Sequence, residues 1–175
     1  SQAAGRLHPL FNTLDTWTLR FVVGHAVENE ALAWAQDNVH IPLQRYVDAC
    51  WMVEYRGASD FGDDIQGPLF YAGWQREQNW MQFVQDSGGV CGSLSTFGAR
   101  SAAARGIPAY TCGQPGHCAY AVRTAPGTWS GGFGGPDGGP HLHFWRGNYA
   151  YIRLMEDALS NSVRRTGSAR RAWQA

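Results

Sequence analysis

The chain contains no lysine; all 14 of its basic residues are arginine, balanced by 14 acidic ones, so the formal net charge is zero. Basic clusters are also missing, apart from Arg164–Arg165 and Arg170–Arg171 near the C-terminus, where a solvated helix face is expected. Nucleic-acid binding through phosphate neutralisation is therefore not expected. No run of 18 apolar residues occurs, which argues against a membrane span. No stretch reads as a signal peptide, and SQAAGR at the start fits a trimmed or added segment equally well. The four cysteines (Cys50, Cys91, Cys112, Cys118) are too few for a disulfide scaffold in 175 residues, and they leave the redox compartment open. Neither a CxxC nor an HExxH spacing is present. Internal repeats are absent, and nothing marks a second domain, so one domain over 1–175 is expected.

What the chain does have is 44% apolar residues, 13% aromatics including eight tryptophans, and 22 glycines concentrated in a few places. This composition belongs to a packed globular protein. Residues 1–85 read as mainly helical. In ENEALAWAQDNV, Leu32, Trp34 and Ala35 alternate with polar positions, and Pro42 prevents continuation. PLQRYVDACWMVEYR spaces Leu43, Tyr46, Val47, Cys50, Trp51 and Glu54 as a helix would, which makes Cys50 a small buried hydrophobe. SDFGDDIQGP (59–68) reads as a loop. REQNWMQFVQDSGG predicts a helix with Trp80, Phe83 and Val84 inward, stopped by Gly88 and Gly89. A further helix is expected to start at or just before Cys91 and to end at Gly106, with Pro108 following.

The period then changes. HCAYAVRT alternates as a strand, with Cys118, Tyr120 and Val122 on one face and Ala119, Ala121 and Arg123 on the other. APGT reads as a turn and TWSGGFGGPDGGPH as a glycine-rich loop or irregular hairpin. LHFW and NYAYIRL read as strands, and LMEDALSNSVRR as a closing helix. Helices first and strands later predict an α+β fold, a mostly antiparallel sheet packed on a helical half.

Within this frame Cys91 and His117 stand out. A working thiol nucleophile needs a setting that favours its anion, access to substrate and a base. A helix N-terminus supplies the first through its free N–H groups and dipole. The surroundings of Cys91, GGVCG, are too open for ordinary core packing. His117 follows Gln-Pro-Gly at a strand start, from which an imidazole can project toward a helix N-terminus. Cys118 points to the face opposite His117 and reads as structural. Cys112 is ambiguous.

The segment GGVCGSLSTFGARSAAARGIPA, then GQPGHCAYAVR and TW, resembles the transglutaminase-like superfamily, whose core is papain-like. The similarity is clearest from Gly88 to Trp129, and the flanking GQPGHCAY and GGFGGPDGGPH resemble a bacterial branch of it. The resemblance implies Cys91 as nucleophile, His117 as general base and acid, and a third residue, usually Asp, orienting the imidazole. Asp137 is the candidate, as the only carboxylate between His117 and Glu156. It departs from the family's placement shortly after a Trp and equally fits a turn; Asn148 is the alternative. The chemistry implied is acyl transfer from an amide of a protein or peptide substrate through a thioester, with no cofactor. The Cys91 backbone N–H and a side chain such as Gln66, Trp74 or Trp80 would hold the oxyanion; Gln66, in a loop, is preferred. Hydrolysis by a cysteine protease or amide hydrolase is expected before cross-linking by a true transglutaminase. Lacking lysine, the chain has no ε-amine of its own to capture a thioester.

Other readings of the same residues exist. His141 and His143 form an H-x-H pair that could join thiols around zinc, but they read better as edge or loop histidines. The glycine-rich GGFGGPDGG lacks the terminal GKS/T of a phosphate loop. His8, His25 and His40 read as surface or satisfied core histidines. Trp74, Trp80, Trp129 and Trp145 suit a groove or a core equally. A catalytically silent binding module is the remaining alternative, and both cytoplasmic and secreted locations are open.

Overall fold

The computed structural model describes residues 5–58, 79–114 and 117–132; of Gln114 and His117 only the backbone course is described. These residues fall within the compact unit Ser1–His143. The single-domain expectation extends to residues 144–175, which lie outside the described set. So do the loop expected at 59–68, the later strands and the closing helix.

The described residues form an α+β fold. A 3-10 turn at Pro9–Thr13 leads into α1 (Thr16–Val23), α2 (Asn29–Asn38) and a second 3-10 helix, Leu43–Met52. Two further helices follow, α3 (Trp80–Ser87) and α4 (Cys91–Ala104), and then strands β1 (Ala109–Gln114), β2 (His117–Ala125) and β3 (Thr128–Gly131). The strands make an antiparallel sheet in the order β1-β2-β3.

Helix boundaries follow local chemistry. Asp15 caps α1 by accepting the Thr18 N–H at 2.6 Å, and Asn79 caps α3 by accepting the Gln82 N–H at 3.0 Å. Gly88 closes α3 at φ +78°, and Gly106 follows α4 at φ +74°, left-handed backbone that glycine adopts without steric cost.

Residues 43–52 wind as a 3-10 helix rather than the expected α-helix. At three residues per turn the side chains form three columns. Tyr46 and Ala49 share one with Met52, and Cys50 shares the next with Val53; these are buried or half-buried. Arg45, Asp48 and Trp51 form the third, and its Arg45–Asp48 ion pair at 3.2 Å faces outward. Trp51 is therefore exposed instead of lying on the apolar stripe, whereas Cys50 is fully buried as expected.

The core lies between α2, α3, α4, the second 3-10 helix and one face of β2. Tyr120 is its centre. Its fully buried ring fits over Gly98 of α4, where a Cβ would stand 2.4 Å from the ring, and beside Gly132. The Tyr120 hydroxyl reaches into the 3-10 helix, where it accepts the Cys50 N–H at 3.3 Å. Its own proton is shared between the carbonyls of Tyr46 and Val47, at 2.8 and 2.7 Å.

Two strand assignments differ from expectation. AYTCGQ forms β1 and pairs antiparallel with β2, Gln114 opposite His117. TWSG is a strand and not loop, because Trp129 pairs with Arg123 and the Gly132 N–H donates to the Tyr120 carbonyl at 2.7 Å. As the middle strand, β2 is buried on both faces, so Ala119 and Ala121 are as inaccessible as Tyr120 and Val122. On the Ala121 face, Phe21, Tyr110 and Trp129 form an aromatic cluster with centroids 5.0–5.2 Å apart. Trp129 thus belongs to the core.

Candidate active site around Cys91

Cys91 is the first residue of α4 and is partly exposed. The chain reaches it through a clamp. The Gly89 N–H donates to the Glu54 carbonyl at 3.0 Å, and the Arg56 N–H donates to the Gly89 carbonyl at 2.7 Å, a short parallel bridge centred on Tyr55. Glycine is required on this approach. A Cβ on Gly88 would stand 2.9 Å from the Glu54 carbonyl oxygen, and one on Gly89 2.5 Å from the Ser93 Cβ. Beyond Cys91, Gly92 has nothing within 4 Å of its would-be Cβ, so the outer side of the first turn is open. Val90 precedes the helix and contributes no side-chain cap.

One turn after Cys91 on the same face stands Ser95, which is fully buried. Its hydroxyl donates to the Cys118 carbonyl at 2.9 Å. The next residue on this stripe, Gly98, receives the Tyr120 ring. Cys118 and Tyr120 alternate onto the same face of β2, so the stripe Cys91–Ser95–Gly98 of α4 lies along the row Cys118–Tyr120 of β2.

Cys118, expected to be structural, is half-buried on this row. Burial pushes the Cys118 thiol up, the neighbouring Cys91 adds to this, and Ser95 offsets part of it. Burial, followed by the neighbouring Cys118, pushes the Cys112 thiol up to about 12. None of the four cysteines is disulfide-bonded: Cys50 and Cys112 are buried, Cys91 and Cys118 half-buried. Ser95 has no motif that would announce it; its spacing of one turn from Cys91 is the only signal in the sequence.

His117 opens β2, and the Ser95–Cys118 bond holds this end of the strand against the second turn of α4. Gln66, Trp74, Asp137, Asn148, His141, His143 and Trp145 lie outside the described residues. Trp80 packs against the core cluster, with the Arg100 guanidinium 4.4 Å from its ring centroid.

The other histidines have structural partners. His8 Nδ1 accepts the Leu10 N–H at 3.1 Å, and His40 Nε2 lies 2.8 Å from the Asp37 carbonyl. His25 Nε2 lies between the carbonyls of Phe21 and Ala109, at 3.1 and 3.0 Å. Among the described residues, no three His, Cys, Asp or Glu side chains are grouped to hold a metal ion, and no helix is long and apolar enough to cross a membrane. No protein-family model, curated protein or solved structure matches the chain.

Proposed function

We propose that the protein is a cysteine-dependent acyl-transfer enzyme of transglutaminase-like type, acting on amide bonds of a protein or peptide substrate. The observation that carries the proposal is the setting of Cys91: a partly exposed thiol at an uncapped helix N-terminus, with the first residues of β2 bonded alongside through Ser95. Free N–H groups at a helix start favour an anion, which suits both a thiolate and an oxyanion beside it.

In this reading the Cys91 thiolate attacks the amide carbonyl. His117 gives its proton to the leaving amine, and the resulting thioester is cleaved by water activated by the same imidazole. Asp137, or Asn148 in its place, would orient His117. The Cys91 N–H and Gln66 would hold the oxyanion. Because Cys118 occupies the α4-facing row, the mechanism asks His117 to reach Cys91 from the strand's end.

Alkylation of the intact protein by iodoacetamide at pH 6, followed by peptide mapping, tests the pair. Stoichiometric labelling of Cys91 that disappears in His117→Ala is expected; slow labelling of every cysteine alike would mark a scaffold. Incubation with a glutamine-containing peptide and a labelled amine then separates water from amine as acceptor. Ammonia release without label incorporation is expected, and incorporation would assign a true transglutaminase.

A further inference from the structure

We propose that Ser95 is a positioning residue: its buried hydroxyl ties the strand that carries His117 to the helix that carries Cys91, and so keeps the base in working register with the thiol. The inference rests on the Cys91–His117 pair proposed above and assigns the contact that aligns it.

Ser95 is fully buried, and its Oγ donates to the Cys118 carbonyl at 2.9 Å. Cys118 directly follows His117 in β2. The bond therefore meets the backbone one residue from the proposed base, and it comes from a helix position one turn after the proposed nucleophile. A second contact fixes the direction. Tyr120 packs over Gly98, so stepping back along β2 from Tyr120 to Cys118 matches stepping back along α4 from Gly98 to Ser95. One more step back along the strand, to His117, runs toward the Cys91 end of the helix.

Small size alone does not account for this serine. A hydroxyl inside a helix commonly turns back onto the carbonyl four residues earlier, here that of Cys91, whereas Ser95 bonds across to another element. Ser101 lies on the same helix and is equally buried, yet its hydroxyl makes no hydrogen bond among the described residues. The sheet shows why the bond falls where it does. On one side β1 pairs with this end of β2, Gln114 opposite His117. On the other side β3 pairs with β2 from Ala125 to Ala121, and the Gly132 N–H reaches the Tyr120 carbonyl. Among the described residues those contacts stop at Tyr120, and Ser95 holds the strand two residues further on. Catalytic groups lose about a hundredfold in rate for a misplacement on the order of 1 Å, so a tie at this point bears directly on the pair.

The test measures the rate of Cys91 alkylation by iodoacetamide in the full chain at pH 6 and at pH 9, followed by peptide mapping. An ordinary thiol, with a pKa of about 8.5, reacts at pH 9 unaided, whereas reaction at pH 6 reads the help of the imidazole. Ser95→Ala should lower the ratio of the pH 6 rate to the pH 9 rate by about tenfold. Ser101→Ala, the matched loss of a buried hydroxyl, should leave the ratio at the wild-type value. In His117→Ala the ratio should already be low, and adding Ser95→Ala should lower it no further. Should Ser95→Ala not fold, Ser95→Cys, close to serine in volume but a weak donor, carries the same expectation. A wild-type ratio in the folded Ser95 variant beside a lowered one in His117→Ala would overturn the positioning role and leave the pair standing. A wild-type ratio in His117→Ala would overturn the pair and the positioning role together. A further drop in the double variant would mean that Ser95 acts on Cys91 without His117, and an equal drop in Ser101→Ala would reduce its effect to packing; either overturns the proposal.

Discussion

The two ends of α4 are built for different purposes. At the C-terminal end the backbone is fully engaged. The Ala102 carbonyl accepts the N–H groups of Arg105 and Ile107, both at 3.0 Å, and the Ala103 carbonyl accepts that of Gly106 at 2.8 Å. The Gln36 amide donates to the Ala104 carbonyl at 2.6 Å, and the His8 N–H to the Arg105 carbonyl at 2.7 Å. From Phe97 to Ala104 nearly every residue is buried. At the N-terminal end no side chain caps the helix, Cys91 is half-exposed and Gly92 borders open space. One helix thus anchors the core at one end and presents a partly exposed thiol at the other. Chemistry placed on a rigid element keeps its geometry without stability having to be built into the site itself.

This contrast predicts that the two ends respond oppositely to substitution. The largest effect belongs to Cys91→Ser. Amide turnover should fall by about 10⁴-fold or more, as for loss of a covalent nucleophile, while the thermal midpoint stays near that of the wild type. Retained turnover would move the nucleophile elsewhere. Next comes a pair of identical changes six residues apart on the same helix. Gly98→Ala gains about 1 kcal/mol of helix propensity but drives a methyl into the Tyr120 ring, where a Cβ would stand at 2.4 Å. Overpacking of this kind costs about 1–3 kcal/mol, and the ring is hemmed in by Gly132 and by its hydroxyl bonds, so net destabilisation is expected. Gly92→Ala meets nothing within 4 Å and should stabilise by roughly 0.5 kcal/mol. Urea denaturation of the two variants measures both signs; equal shifts in one direction would erase the contrast between the ends.

Much of α4 was legible beforehand because its limits depend on local chemistry. Gly88 and Gly89 stop the preceding helix, and Gly106 and Pro108 stop α4 itself. The α+β order of elements was legible for the same reason. The 3-10 winding of Leu43–Met52 was not, since periods of 3.0 and 3.6 both bring Tyr46, Ala49 and Cys50 inward over so few turns. What separates them is Trp51, which is exposed, and the backbone beside it is bonded to the Tyr120 hydroxyl through the Cys50 N–H, a tertiary contact 70 residues away. Strand β1 was hidden because AYTCGQ offers only weak alternation, and β3 because TWSG opens a glycine-rich tract. At the candidate site, strand alternation groups Cys118 with Tyr120 but does not say which face meets α4. That choice is made by Gly98 accepting the Tyr120 ring, so the strand face that meets α4 emerges only once the helix and strand are packed.

The smallest effect sharpens the anchored side of the comparison through pH. His25 ties the end of α1 to the start of β1, its Nε2 lying between the Phe21 and Ala109 carbonyls. Burial lowers its pKa; the two carbonyl contacts oppose this and Arg100 adds to it. The folded protein therefore resists protonating His25 where the unfolded chain, with an ordinary histidine pKa of about 6.5, accepts a proton. The unfolded state then binds more protons, so stability is unaffected by this group above that pH and falls as pH drops through it toward the lowered folded value. His25→Gln, which cannot titrate, should be less stable at pH 7.5 but lose less on acidification. Thermal midpoints of the two proteins from pH 7.5 to 5 should converge; parallel curves would show that His25 stays as easy to protonate in the fold as in the free chain.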